Sequence, residues 1–186
     1  LYGADALGLF AYALVMIELM GQLCSLGQKR GLAQWLSHDE ERNPANIVAD
    51  GLFLAGVFST VVAVALYIFP LPMFPSGQYT AIDRLLPLGV IFLALTEVAL
   101  AAQAYRFDVG TTVRARAIVE PWTISIMAGI MYFIFPASGL SVAYLLSVGA
   151  AAVTSFIPLV RTYGLPHQWR PQPRAMWKLV HQSLPL

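Results

Sequence analysis

The chain has 186 residues, of which 58% are hydrophobic and only 11% charged, with a net charge of +1 and a mean hydropathy of +0.68. A soluble domain carries roughly 25% charged residues, so this composition excludes a soluble enzyme, a nucleic-acid binder and a disordered tail. It points to a membrane protein. The single cysteine, Cys24, leaves no internal disulfide or cysteine metal cluster.

A membrane-spanning helix needs about 20 mostly apolar residues. Residues 6–27 supply the first span, with one charge, Glu18. Residues 46–69 supply the second. It ends where Pro70, Pro72 and Pro75 remove backbone donors. Residues 84–106 form the third, with Glu97 inside it. Pro121 to Val160 is free of charge and is divided by Pro136 to Gly139. Its second half gives a span over 140–162. Its first half covers only ~22 Å at 1.5 Å per residue. That helix therefore starts upstream and runs over 112–135, capped by Thr111 or Thr112, with Arg116 and Glu120 four apart and able to pair. Pro121 kinks it. The alternative is a short helix with Pro121 at its first position. The expected fold is an all-α membrane protein, a bundle of five spans over 1–163, followed by a cytoplasmic linker over 164–186.

Lysine and arginine orient the bundle. Lys29, Arg30, Arg42, Arg106, Arg114, Arg116, Arg161, Arg170, Arg174 and Lys178 fall on one side, and Arg84 alone on the other. The basic side is expected in the cytoplasm, with the first residue outside and the last inside. In the tail, Arg174, Met176, Trp177, Leu179 and Val180 suit either a membrane-surface segment or the approach to a sixth span near Ser183. Leu1 is not an initiator methionine, and the chain reads as a piece of a longer protein.

An ionised carboxylate at the bilayer centre costs ~2.5–3.5 kcal/mol on insertion scales. Glu18 and Glu97, both near mid-span, should therefore face a protein interior or a wet cavity, or be protonated. Gln22, Ser25 and Lys29 follow Glu18 at four, seven and eleven residues, on one helix face. This stripe suits either a cavity opening inward or polar packing between helices. Glu97 is either a coupling or substrate-contacting carboxylate, or the partner of a basic group elsewhere in the bundle. Thr96, Gln103 and Arg106 share a neighbouring face. Asp5 reads as a helix cap and Asp50 as an interfacial charge. Ala143, Ser147, Ala151 and Ser155 form a small-residue packing seam. Tyr67, Tyr79, Trp122, Tyr132, Tyr144 and Trp177 read partly as interfacial belt residues. His38, His167 and His181 all lie in the basic segments, so no intramembrane serine has a histidine base, and no GxSxG, HExxH or P-loop pattern occurs. No enzyme activity, cofactor or metal is expected.

Leu7-Gly8-Leu9-Phe10-Ala11-Tyr12, followed by the run from Leu26 to Leu36, resembles the second helix of polysaccharide and O-antigen flippases. These belong to the multidrug/oligosaccharidyl-lipid/polysaccharide exporter superfamily. Gln103-Ala104-Tyr105-Arg106 with Arg114 and Arg116 is similar to the end of that family's fourth helix. Ser183-Leu184-Pro185-Leu186 looks like the opening of its seventh. The resemblance covers most of the chain through loose hydrophobic patterns. It implies helices two to six of a transporter whose C-terminal lobe lies elsewhere in the same chain. The implied activity is the flipping of an undecaprenyl-linked oligosaccharide across the bacterial inner membrane by alternating access. Proton or sodium coupling is possible within that scheme, and nucleic acid is not a partner. The candidate cavity residues are Glu18, Gln22, Ser25, Lys29, Glu97, Gln103, Arg106, Arg116 and Glu120. Lys29, Arg106 and Arg116 are expected at inner helix ends, with no cation at depth. A cation-coupled exporter of drugs or metabolites and a non-transporting membrane scaffold are the alternatives.

Overall fold

The computed structural model describes residues 2–25, 32–33, 36–37, 43–167 and 169. Among them the protein is all-α, and five helices are long and apolar enough to cross a membrane. It is a multi-pass membrane protein. Helix α1 spans Ala4–Cys24 and α2 spans Pro44–Ile68. A 3-10 turn over Asp83–Leu85 leads into α3, Leu88–Tyr105. Next come the single turn α4, Val109–Thr112, a π-helical segment over Val113–Val119 and α5, Glu120–Ile134. Helix α6 closes the series at Gly139–Tyr163.

Local chemistry sets these boundaries. Asn43 caps α2 by accepting from the Ala45 amide at 3.0 Å, with Pro44 at the first helical position. The second span therefore starts two residues before the expected 46. Asp5 is not the cap of α1. Gly3 holds that position, and Asp5 lies exposed in the first turn, where a carboxylate favours the helix dipole. Neither Thr111 nor Thr112 caps the fourth span. Asp108 does so, accepting from the Thr111 amide at 3.1 Å and the Thr111 hydroxyl at 2.6 Å. The Thr111 hydroxyl and amide, with Arg114 nearby, hold the Asp108 carboxyl below its ordinary range. The turn before it places Phe107 at φ +62°, in the left-handed region where a non-glycine residue is strained. The helix then runs through Pro121 without stopping, because the wider π turns just before it accommodate a residue that has no amide to donate.

Helix α3 is the hub and packs against α1, α2 and α6, while α5 packs on α6 at the perimeter. Some 61% of the third span's apolar window is buried, against none of the fourth's. One apolar cluster joins Ile17, Val90, Leu93, Tyr144 and Val148 across α1, α3 and α6. A second joins Ile47, Val48, Ala99, Ala102 and Leu159, towards the start of α2 and the ends of α3 and α6. Val15, Val61, Ile126 and Phe133 point outward. In hydrocarbon such faces lose nothing by exposure, since lipid tails are as apolar as the side chains.

The expected small-residue seam is present: Ala143, Ser147, Ala151 and Ser155 are all buried, on the helix that packs against α3. Gln103 of α3 crosses it to donate to the Ser155 carbonyl at 2.6 Å. Helix α1 also comes close to α3: a Cβ at Gly21 would lie 2.9 Å from the Leu93 Cβ, so only glycine fits the observed spacing.

Candidate functional site

Polar side chains collect in a crevice walled by α1, α3 and the α4–α5 helix. Its charged part lies towards the basic end, where α1, α3 and α6 terminate and Arg106, Arg114 and Arg161 cluster. Glu18 and Gln22 come from α1, Glu97 from α3, Arg116 from the π-helical segment and Glu120 from α5. The Arg116 guanidinium donates through Nη1 to Glu120 Oε2 at 2.7 Å and through Nη2 to Glu97 Oε1. One fork thus serves two carboxylates, the geometry for which arginine is suited and lysine is not.

A cavity of about 180 Å3 lies against this cluster, lined by Glu18, Gln22, Leu93, Glu97 and Arg116. A larger one, about 550 Å3, adjoins it and takes in Ala101, Ala104, Tyr105 and Thr112. Glu97 and Arg116 line both, so their ion pair stands between the two spaces. Arg116 is seven residues past Val109, and Glu97 eight before Tyr105. At 1.5 Å per residue these positions lie roughly 10–12 Å inside the helix ends, about a third of the way through a ~30 Å core. The fourth span starts at Val109, which carries Arg116 inward to meet Glu97.

The opposite end of the crevice is closed differently. The Tyr2 hydroxyl donates to the Ala128 carbonyl of α5 at 2.9 Å. Its ring meets Tyr132 edge-on at 5.3 Å. Burial there and the neighbouring Tyr132 push the Tyr2 hydroxyl above its ordinary pKa. At the start of α6, a Cβ on Gly139 would lie 2.8 Å from the Met131 carbonyl oxygen and would clash with the Tyr2 hydroxyl, so the three chain segments meet without space for a side chain.

Not every expected site residue reaches the crevice. The Ser25 hydroxyl is buried and donates to the Gln22 carbonyl of its own helix at 2.7 Å. Gln103 is fully buried in the α3–α6 seam. The Arg106 guanidinium lies 5.5 Å over the Tyr163 ring, whose hydroxyl donates to the Ala102 carbonyl at 2.6 Å. Both residues brace α3 against α6. Lys29 lies outside the described residues, as do Trp177 and the tail beyond residue 169.

Two residues gain importance. Tyr144 is not an interfacial belt residue. It is 2% exposed and lies against Gly89 in the same apolar cluster as Ile17, within electrostatic reach of Glu18, Arg116 and Glu120. The sequence signal for this was its place beside Ala143 on the seam. Asp50 also has a partner that the sequence did not show. It is fully buried and accepts from the Trp169 indole at 2.9 Å. Trp169 also packs on Phe53 at 5.5 Å, and Asn46 donates to the His167 carbonyl at 3.2 Å. The start of the expected linker thus folds back on α2.

Among the described residues, the carboxylates of Glu18, Glu97 and Glu120 come together with the Arg116 guanidinium in the crevice. Among the described residues, no group of three or more His, Cys, Asp or Glu is arranged to hold a metal ion. No family model, curated protein or solved structure matches the chain.

Proposed function

We propose that the chain is part of a transporter that flips lipid-linked oligosaccharides across the bacterial inner membrane, by alternating access around the crevice. The observation that carries this reading is the asymmetry of that crevice. It is polar and spacious at the basic end and closed by Tyr2, Gly139 and Met131 at the other. Ten of the eleven lysines and arginines fall on the basic side, which the positive-inside rule places in the cytoplasm. The crevice then faces the leaflet on which a cytoplasmic precursor is assembled. Charge within a membrane span is maintained only where it has work or a partner, and here it borders open space. The family resemblance of α1 and of the Gln103–Arg116 stretch points the same way.

The test is leaflet-resolved mass spectrometry of lipid-linked glycans in cells lacking the gene and any redundant flippase. Accumulation of the full-length lipid-linked oligosaccharide in the cytoplasmic leaflet is expected. An unchanged pool with unchanged sidedness rejects the reading.

One observation favours a second reading, a cation-coupled exporter of small molecules. The Arg116 fork is already engaged by Glu97 and Glu120, and Glu18 adds a third carboxylate to the smaller cavity. Under that reading, Glu97→Gln abolishes efflux of a cationic dye from cells while lipid-linked glycans stay normal.

A further inference from the structure

A separate cavity of about 400 Å3 lies at the end opposite the basic residues, between the first turns of α1, the loop before α3 and the start of α6. Its volume falls in the range of small-molecule sites, roughly 300–1,000 Å3. Its walls combine aromatic rings, from Phe10, Phe74 and Tyr79, with Gln78, Asp83 and Ser141. Phe74 is buried and holds the Tyr79 ring at 5.3 Å with a 32° tilt, while Tyr79 stays partly exposed.

The polar wall is built with a definite sense. Asp83 Oδ2 accepts from the Thr80 amide and the Thr80 hydroxyl, both at 2.8 Å. Asp83 Oδ1 accepts from the Ser141 hydroxyl. The protons of both hydroxyls are therefore committed to Asp83. What remains for a ligand is oxygen lone pairs, on Thr80, Ser141 and Asp83, together with the Gln78 amide. Arg84 is turned away, its guanidinium 4.9 Å over the Tyr67 ring and its Nε bonded to the Tyr67 carbonyl. Such a wall repels phosphate and carboxylate. It accepts hydrogen bonds from hydroxyl groups, while an aromatic face accepts the weakly positive C–H groups of a sugar ring.

We propose that this cavity is a binding site for a neutral pyranose, formed by Tyr79 and Phe74 as the ring-facing wall and by Gln78, Asp83, Thr80 and Ser141 as hydroxyl acceptors. That the sugar belongs to the transported glycan rests on the proposed function; the binding itself does not. On that reading the site meets the glycan at the far side of the membrane, separate from the charged crevice where the precursor enters.

The protein is reconstituted into vesicles of phosphatidylethanolamine and phosphatidylglycerol, which carry neither sugar nor quaternary ammonium. Saturation-transfer NMR is then recorded with methyl β-D-glucopyranoside, methyl β-D-galactopyranoside, methyl N-acetyl-β-D-glucosaminide and tetramethylammonium. Transfer to at least one pyranoside is expected. Tyr79→Ala and Gln78→Ala should each weaken that binding roughly two- to tenfold. Tyr79→Phe should retain it, as should Trp122→Ala, which alters an exposed residue of another helix. No transfer to any pyranoside overturns the proposal. So does stronger binding of tetramethylammonium, which makes the site a cation pocket, or pyranoside binding indifferent to Tyr79→Ala and Gln78→Ala. Pyranoside binding with normal glycan sidedness in the deletion strain keeps the site and removes the transport reading. Disturbed sidedness without pyranoside binding does the reverse.

Discussion

The crevice between α1, α3 and α5 is shut at one end by packing and bridged at the other by charge. At the Tyr2 end, a phenol, a glycine and a backbone carbonyl meet at contact distance, with no room for a side chain at Gly139. At the basic end, α5 and the π-helical segment reach α3 through the Arg116–Glu97 pair, with open space on either side. A packed contact is lost steeply as its atoms separate. An ion pair lengthens more gently, and its charges can exchange partners or take up water. The contact of Tyr2 with α5 is thus built to stay together, while the contact of the π-helical segment with α3 can admit something.

Removing the bridge should have the largest effect. Arg116→Leu removes the guanidinium that Glu97 and Glu120 share. A fully buried broken pair costs roughly 3–5 kcal/mol. The Arg116 side chain retains 27% exposure, so a loss of about 2–3 kcal/mol is expected in reversible unfolding from bicelles. Adding Glu97→Gln to Arg116→Leu should recover part of that loss. If the single variant is as stable as the parent, the pair does not join the two walls.

At the packed end, Gly139→Ala forces a Cβ against the Met131 carbonyl oxygen. An overpacking penalty of about 1–3 kcal/mol follows, read in the same unfolding experiment, with faster amide exchange at Ala128–Tyr132. A smaller effect comes from Asp108→Ala, which removes the cap beneath Arg116 and should cost about 1 kcal/mol. The cap also sets a pH dependence. Its carboxyl is held below the unfolded value of about 3.9, so the stabilisation is complete above that pH and fades as pH falls through the lower folded value. Asp108→Asn should flatten that acid limb. The smallest expected change is Tyr2→Phe, about 0.5–1 kcal/mol from one hydrogen bond, with the ring contact to Tyr132 kept.

The spans were legible because a 20-residue apolar run is a strong signal, and the seam because small residues repeat every four positions. The Arg116–Glu120 pair was legible for the same reason: both ends lie on one helix. The pairing of Arg116 with Glu97 was not, since spacing within a helix says nothing about the phase of one helix against another. Tyr144 misled because a tyrosine six residues into a span suits either a membrane interface or a core. The contact of Asp50 with Trp169 was not legible, because the two are 119 residues apart. Gln103 and Arg106 shared a polar stripe, yet that stripe faces α6, where polar groups serve packing. The aromatic and acceptor groups of the opposite cavity gather from α1, one loop and α6, so no local motif announced them.

The π-helical segment over Val113–Val119 has a consequence for chain length. A π turn holds more residues than an α turn, and such turns carry a one-residue surplus within an otherwise α-helical run. Upstream of Glu120 the helix buries Thr111 and Ala115, while α5 buries none of its residues. The surplus turns one stretch inward while the other keeps its lipid-facing side. Deleting one residue between 112 and 116 would let the helix continue with ordinary bonding. It would also swing its N-terminal turn by about 100°, one residue's rotation at 3.6 per turn. The length of this stretch, as much as its composition, decides whether Thr111 and Ala115 stay buried where Arg116 meets Glu97.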